Sequence, residues 1–176
     1  MTTHKKLFWN CLLLILISIS ELSIAQTAYQ TLPDPKIKGG IIFKGMITKY
    51  LLENEASFKW YNNNKKNYQP DISILTSLES SKNKLSLIVF GGTWCEDSQS
   101  ILPEFFKLQE LSGFPDSSVI FFGVDRDKNS LGGIAEAFNI TNVPTIIVMK
   151  NGKEKGRVVE YGTSGKWDAD LNELLK

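Results

Sequence analysis

Residues 85–98 read LSLIVFGGTWCEDS, and the organisation of the whole chain can be worked out from them. A short apolar run closed by two glycines is typical of a buried strand that ends in a tight turn. After the cysteine, apolar side chains recur at helical spacing as far as Leu111. The stretch therefore predicts a strand that turns directly into a helix, with Cys95 at the N-terminus of that helix.

The rest of the chain after this stretch alternates between strand and helix patterns. Short apolar runs and helical periodicities predict strands at 119–124, 145–149 and 157–160 and helices at 131–138 and 166–175. Asn151-Gly152 is typical of a two-residue hairpin turn. The predicted order β-α-β-α-β-β-α implies an α/β fold in which helices cover both faces of a mixed central sheet.

Residues 26–84 precede this core. Pro33, Pro35 and the Gly39-Gly40 pair predict an irregular lead-in over 26–40. From 46 to about 80 the apolar spacing predicts a helical extension. The extension carries an aromatic cluster that consists of Phe58, Trp60, Tyr61 and Tyr68. We expect this cluster to pack against the core, and the alternative is that it forms a platform for substrate.

The first 25 residues have the order of a secretory signal peptide. Lys5 and Lys6 precede an apolar run at 12–19, and small residues end at Ala25. The apolar run is shorter than the roughly 20 residues that span a bilayer, which favours cleavage near Ala25 over an uncleaved anchor. We therefore expect export to the periplasm or the cell exterior, with no stable membrane anchoring after processing.

Composition excludes several functional classes. Twenty Lys and Arg against nineteen Asp and Glu give a net charge of +1, which offers no electrostatic basis for binding nucleic acid. Cleavage near Ala25 would remove His4 and Cys11 and leave Cys95 as the one cysteine. A chain of that composition lacks the ligands for a Cys/His zinc site and the pair for Cys-His catalysis. We expect no metal and no cofactor.

An acidic stretch after the predicted strand 119–124 needs a separate interpretation. Asp125 and Asp127 stand at the first and third positions of a calcium-binding loop pattern, but Ser130 occupies the position that needs glycine. We interpret the segment, including Arg126, as a solvated loop between a strand and a helix.

Three motifs stand in an arrangement typical of a known family. Trp94-Cys95-Glu96-Asp97-Ser98 lies at the strand-to-helix junction, Pro103 falls inside the following helix, and Val143-Pro144-Thr145 precedes a strand. The chain resembles the thioredoxin family, whose members have a W-C-x-x-C turn, a kinking proline and a cis-proline loop. The resemblance covers 85–176, and it looks closest to exported members with a Gly-Thr-Trp-Cys-x-Asp-Ser motif. It implies a thioredoxin-like fold and a thiol–disulfide oxidoreductase.

The position of Cys95 favours the reactive form of its side chain. Unpaired N–H groups and the positive end of the helix dipole stabilise a thiolate, which is the nucleophile of disulfide exchange. The alternative is a small buried apolar residue. We expect Trp94 to shield one side of the sulfur, and a cis Pro144 would let Val143 pair with an extended substrate strand.

Departures from the family pattern define the expected mechanism. Ser98 stands where dithiol members have a resolving cysteine, and Val89 stands where the family usually keeps a buried acid. Ser98 either donates a hydrogen bond to the sulfur or is a solvated residue of the first helical turn. Glu96 and Asp97 oppose thiolate formation, because like charges near a group disfavour its ionised form.

Two functions remain open from the sequence. The first is an exported, monomeric exchange protein with a Cys-x-x-Ser site, which acts on protein or small-molecule disulfides and thiols. Because it has one cysteine, an external thiol reductant must resolve its mixed disulfides. The alternative is a redox-silent thioredoxin-fold module that binds extended polypeptide in the groove beside Pro144.

Overall fold

The computed structural model describes residues 27–176, so the expected signal peptide at 1–25 lies outside the described residues. The strands are β1 (Tyr29–Pro33), β2 (Ile41–Ile47), β3 (Ser86–Gly91), β4 (Val119–Gly123), β5 (Thr145–Lys150) and β6 (Lys153–Val159). The helices are α1 (Lys49–Asn54), α2 (Lys59–Asn67), α3 (Ile72–Ser80), α4 (Glu96–Ser112), α5 (Ile134–Ala137) and α6 (Trp167–Leu175), and short 3₁₀ turns lie at Asp116–Ser118 and Leu131–Gly133. Among residues 27–176, no helix has the length and apolar character needed to cross a membrane.

The strands form one six-stranded sheet in the order β1-β2-β4-β3-β5-β6. The central pair β3 and β4 is parallel, and the other neighbours are antiparallel. At the predicted hairpin, Asn151 and Gly152 have φ angles of 52° and 74°, which suits a two-residue turn between strands of right-handed twist. From β3 onward the structure confirms the predicted order of elements and the mixed sheet.

The N-terminal segment differs from the prediction. The expected irregular lead-in contains β1, and the helical pattern expected from residue 46 begins only at α1, because residues 41–47 form β2. Strand β2 pairs with β4 in antiparallel register, so the segment before residue 85 is part of the same sheet as the core. Helices α1 to α3 do occupy the remainder of the predicted helical region. The sequence pattern misleads because Met46, which is apolar but exposed on β2, stands at helical spacing from Tyr50 and Leu51 of α1.

Two hydrophobic clusters lie on the two faces of the sheet. The larger one joins α1–α4 and α6 to the sheet, and its fully buried side chains include Leu52, Tyr61, Leu78, Phe105, Leu108 and Leu171. The smaller one consists of Ile88, Phe90, Val124, Ala135, Ile140, Val143 and Ile147, and it is covered by α5 and loops. Trp94 and Cys95 pack against the smaller cluster. The cysteine site therefore rests on the thinner layer of the molecule.

The aromatic cluster of the extension packs against the core. Phe58 and Tyr61 are buried in the larger cluster. Tyr68 lies against the ring of Trp167 on α6, and its hydroxyl donates a hydrogen bond to Asp168 at 2.9 Å. These contacts match the packing interpretation, and they leave Trp60 and Tyr68 only partly buried.

Candidate functional site

The main chain places Cys95 at the junction between β3 and α4. Cys95 is the N-cap residue of α4, with extended backbone angles, and its amide donates to the carbonyl of Gly92 at 3.0 Å. The tight turn needs glycine at position 92, because a Cβ there would lie 2.7 Å from the Trp94 ring. The Cys95 side chain is half-buried. The sulfur is thus accessible at a helix N-terminus, which does not fit the alternative of a buried apolar residue.

The loop before β5 lies directly against the sulfur. The Val143–Pro144 peptide bond is cis, and the Cys95 thiol donates to the Val143 carbonyl at 3.1 Å. Two hydrogen bonds fix the loop: Glu160 N–H donates to the Pro144 carbonyl at 2.7 Å, and the Thr145 hydroxyl donates to Asn142. The sequence motifs at 94–98 and 143–145 therefore meet in space.

Val143 contacts the site through its backbone carbonyl. The residue as a whole is buried in the smaller cluster, with 2% of its surface exposed. Within residues 27–176, the Val143 amide has no hydrogen-bond acceptor. An amide of this kind can pair with an incoming extended chain. Pairing of Val143 with a substrate strand stays a prediction.

Ser98 behaves differently from both sequence expectations. It is fully buried, so it is not a solvated residue of the first turn. Its hydroxyl oxygen accepts a hydrogen bond from the Gly92 amide at 3.2 Å, and this bond joins the helix to the end of β3. The expected hydrogen bond to the sulfur is not among the contacts that the structure describes. Ser98 stabilises the turn on which Cys95 stands.

Trp94 lies beside Cys95 and is fixed from two sides. Its indole Nε1 donates to the Val124 carbonyl at 3.0 Å. The guanidinium of Arg126 lies over the ring, 5.1 Å from its centroid. Arg126 in turn makes two hydrogen bonds of 2.8 Å to the carboxylate of Asp34, which lies between β1 and β2. The hydrogen bond from Arg126 lowers the pKa of Asp34.

Sequence reasoning missed Asp34 and Arg126 as neighbours of the site. Asp34 fell within the supposed irregular lead-in, and Arg126 fell within a loop interpreted as solvated. The two residues are 92 positions apart, so no local periodicity could reveal their pairing. In the same loop, the carboxylate of Asp125 accepts a hydrogen bond from the ammonium group of Lys44 on β2 at 2.6 Å. Within residues 27–176, no group of three or more potential ligands is placed to hold a metal ion.

Acidic residues follow Cys95 directly in the chain. Glu96 and Asp97 form the first turn of α4. Partial burial raises the pKa of Asp97, and the charges of Glu160 and Glu96 add to that effect. Below the site, Val89 is fully buried and apolar. In the chain, Cys95 therefore stands between Trp94, over which a guanidinium lies, and the two acidic residues of the first helical turn.

The N-terminal segment also contacts the cysteine loop directly. The Thr93 hydroxyl donates to the Ile41 carbonyl on β2 at 2.7 Å. The Asn64 side chain on α2 donates to the Gln99 carbonyl at 2.8 Å. A groove of about 220 Å³ beside Trp94 is lined in part by Ile37 and Gln99. Strand β2 and helix α2 thus brace the turn that carries Cys95.

A helix-terminal cysteine opposite a cis-proline loop, on a mixed sheet, defines a class of disulfide-exchange protein. A sequence model of the family described as Thioredoxin matches residues 61–173. The chain belongs to the thioredoxin family, and its fold is thioredoxin-like as predicted. Membership supports a function like that of a thiol–disulfide oxidoreductase, and members generally act on protein disulfides together with reductants.

Individual relatives match the core of the chain. It is 37% identical over 82 residues to "Thioredoxin H2-2" of Oryza sativa subsp. japonica, a match that covers 46% of this chain and 56% of that protein. It is 34% identical over 93 residues to a thioredoxin of Mycoplasma genitalium, covering 52% of this chain and 85% of that protein. Among solved structures, the Schistosoma mansoni thioredoxin pre-protein is 33% identical, with 61% of this chain and 91% of that chain covered and a TM-score of 0.39.

Proposed function

We propose that this chain is an exported thiol–disulfide exchange protein that works through Cys95 alone. The observation that carries the proposal is the position of one sulfur atom. It is half-buried at the N-terminus of α4, and it lies 3.1 Å from the backbone of the cis-proline loop. That position combines stabilisation of a thiolate with a backbone edge for an extended substrate.

The first step is attack of the Cys95 thiolate on a substrate disulfide. The Cys95 sulfur forms a bond to one substrate sulfur, and the other leaves as a thiolate. The substrate backbone pairs with the free amide of Val143, and the indole of Trp94 shields the opposite side of the sulfur. The product is a mixed disulfide between the protein and the substrate, with no net change in the number of disulfide bonds.

The second step requires a thiol from outside the described chain. Cys95 is the free cysteine of residues 27–176, and the position of a resolving thiol holds the buried Ser98. An external thiolate attacks the Cys95 sulfur of the mixed disulfide, and the substrate sulfur leaves as a free thiolate. Cys95 is then joined to the external thiol, and a second external thiolate releases it with formation of the oxidised external disulfide.

The test of this mechanism is a gain of function. Wild type should reduce insulin disulfides poorly, and Ser98→Cys should raise that rate about tenfold or more, because a second thiol on the same turn resolves the mixed disulfide internally. Ser100→Cys is the matched control, since it adds a thiol to the same helix at a half-buried position two residues further on. A gain with Ser100→Cys and none with Ser98→Cys would contradict the proposed geometry.

Trapping separates exchange from simple binding. Wild type incubated with a disulfide-bonded peptide should yield a mixed disulfide by mass spectrometry, and Cys95→Ser should yield none. If Cys95→Ser keeps all of the binding to that peptide and wild type forms no adduct, the redox-silent module is the correct function.

We further propose export as a monomer to the periplasm or cell exterior. N-terminal sequencing of the secreted protein should find Gln26 first.

A further inference from the structure

The pair of Asp34 and Arg126 is built more firmly than a surface ion pair. Both terminal oxygens of Asp34 accept hydrogen bonds from the guanidinium, each of 2.8 Å. The Asp34 side chain is 2% exposed and the Arg126 side chain is 20% exposed. Asp34 also accepts a hydrogen bond from the Lys36 amide, which fixes the carboxylate within its own loop. The position of the guanidinium is therefore set by the hairpin of β1 and β2.

That position is beside the reactive sulfur. The guanidinium lies over the Trp94 ring, and Trp94 precedes Cys95 in the turn. The hydrogen bond to Asp34 is the largest cause of the raised pKa of Arg126, and the charge of Cys95 adds to it. The other charged groups near the site are the acidic Glu96 and Asp97 on α4, Glu160 after β6, and Lys38, which lines the groove beside Trp94. Arg126 is the cation that lies over the ring of the residue before Cys95.

We propose that Arg126, held by Asp34, is a positioning residue that directs disulfides carrying anionic groups onto Cys95. This inference rests on the exchange function proposed above. The pair of Asp34 and Arg126 is neutral as a whole, but its guanidinium end lies over Trp94 and attracts a carboxylate near the attacked sulfur at short range, whereas the acidic start of α4 repels it. The guanidinium acts through the Trp94 side of the site, so the anionic group of the substrate lies on that side. The N-terminal hairpin thereby takes part in substrate selection.

The test compares two aromatic disulfides of different charge. One is dianionic 5,5′-dithiobis(2-nitrobenzoate), and the other is neutral 4,4′-dithiodipyridine. Each reacts with the Cys95 thiolate to give a mixed disulfide and one coloured leaving group, so both rates are read by absorbance. At a fixed pH the fraction of Cys95 that is ionised affects both rates equally. The ratio of the two rates therefore measures the local charge and not the abundance of thiolate.

Arg126→Gln should lower this rate ratio about fivefold at low salt, because a unit charge near two carboxylates contributes an effect of that size. Arg126→Lys should restore the ratio to within about twofold of wild type. Arg157→Gln is the matched control: Arg157 also makes two hydrogen bonds to one carboxylate, that of Glu154 on β6. The control should leave the ratio unchanged. Added salt should lower the ratio of wild type more than that of Arg126→Gln.

The outcomes separate this inference from the function on which it rests. If Cys95 reacts with neither reagent, the exchange function itself fails. If both reagents react and Arg126→Gln leaves the ratio at the wild-type value, only the role of Arg126 is overturned. If Arg126→Lys behaves like Arg126→Gln, the residue acts by packing on Trp94 and its charge is not what selects the substrate, which also overturns the proposal.

Discussion

The two parts of the chain on either side of residue 85 contribute to the site by different means. After residue 85 the main chain builds it, because α4 begins at Cys95 and the loop before β5 brings the Val143 carbonyl to the sulfur. Residues 27–80 reach the same site mostly through side chains, apart from the Ile41 carbonyl that accepts a hydrogen bond from Thr93. Asp34 holds an arginine beside it, and Asn64 holds the first turn of α4.

The difference teaches where changes in sequence should alter chemistry and where they should alter stability. Main-chain geometry depends on a few residues with special conformations or close approaches, so their replacement has large effects. The side-chain contacts from residues 27–80 are separate hydrogen bonds, and each makes a modest net contribution to the free energy of unfolding. The seam between the two parts, where β2 pairs with β4, should be the most sensitive place of all, because both parts depend on it.

The largest effect is expected from Gly123→Ala at this seam. A Cβ on Gly123 would overlap the Phe43 carbonyl oxygen and lie 2.9 Å from the Phe43 carbonyl carbon. Both are backbone atoms of β2, so the strands must separate to relieve the contact. We expect the free energy of unfolding to fall by about 3 kcal/mol, as in other overpacked sites. Denaturant unfolding measures this change.

Gly132→Ala is the control for this prediction. Unlike Gly123, Gly132 has a positive φ, 68°, and nothing lies within 4 Å of its Cβ position. The substitution carries only the backbone strain of the left-handed region, about 1 kcal/mol. Equal losses for the two variants would show that crowding at the seam does not matter, and that residues 27–80 are attached less closely than the strand pairing indicates.

The parts differ in the same way in how far the sequence predicts them. Strands β3 and β5 are buried on both faces, so each is a continuous apolar run that the sequence shows directly. Strand β2 is not, because one of its faces is partly exposed at Lys44 and Met46. Its strand character depends on pairing with β4, which is some 75 residues away along the chain. Local spacing therefore predicted no strand at 41–47, and the predicted helical region overlapped the end of β2 from residue 46.

The site shows the same division between local and distant causes. The resemblance of the Cys95 and Pro144 motifs to those of the thioredoxin family implied that they would meet, and they do. The environment of Ser98 was not predictable, because a serine in a first helical turn is ordinarily solvated, and its burial follows from how Gly92 turns. The role of Arg126 depends on Asp34 in a different part of the chain.

An intermediate effect is expected from Ser98→Ala. The substitution removes the acceptor of the Gly92 amide within the core part and leaves a buried N–H without its partner. We expect a loss of about 1–2 kcal/mol in the free energy of unfolding. The rate of Cys95 with neutral 4,4′-dithiodipyridine should stay within about twofold of wild type, since Ser98 supports the turn and not the sulfur. Ser100→Ala on the same helix should change stability by no more than about 0.5 kcal/mol.

The kinetic result decides the role of Ser98. A fall of tenfold or more in the rate with the neutral disulfide, at unchanged fold, would show that the hydroxyl acts on the sulfur after all. Stability that matches wild type would show that the Gly92 amide finds another acceptor. Either result would contradict the role of the Ser98 hydroxyl as a support for the turn that carries Cys95.

The smallest effect on the free energy of unfolding is expected from Lys49→Met, which removes a set of side-chain contacts far from the sulfur. Lys49 on α1 is 6% exposed, and its ammonium donates to Gln109 at 2.9 Å and to Asp116 at 2.8 Å. Burial alone would lower the pKa of Lys49, but the carboxylates of Asp116 and Glu110 outweigh burial and raise it. Because Asp116 is 54% exposed and remains hydrated, we expect a loss of only about 1 kcal/mol at pH 7.

The pH dependence of this loss identifies its cause. Hydrogen bonding from Lys49 is the largest reason why the pKa of Asp116 falls from 3.8 to about 2. A carboxyl whose pKa is lower in the folded state stabilises the fold fully above its unfolded value, and this contribution disappears as the pH falls through the folded value. The difference in stability between wild type and Lys49→Met should therefore be constant above about pH 5 and narrow between pH 4 and pH 2. Lys59→Met, at an exposed position on α2, is the control and should have the same free energy of unfolding as wild type at every pH. If the loss of stability in Lys49→Met persists unchanged at pH 2, then packing of the lysine stem, and not its charge, joins α1 to the core.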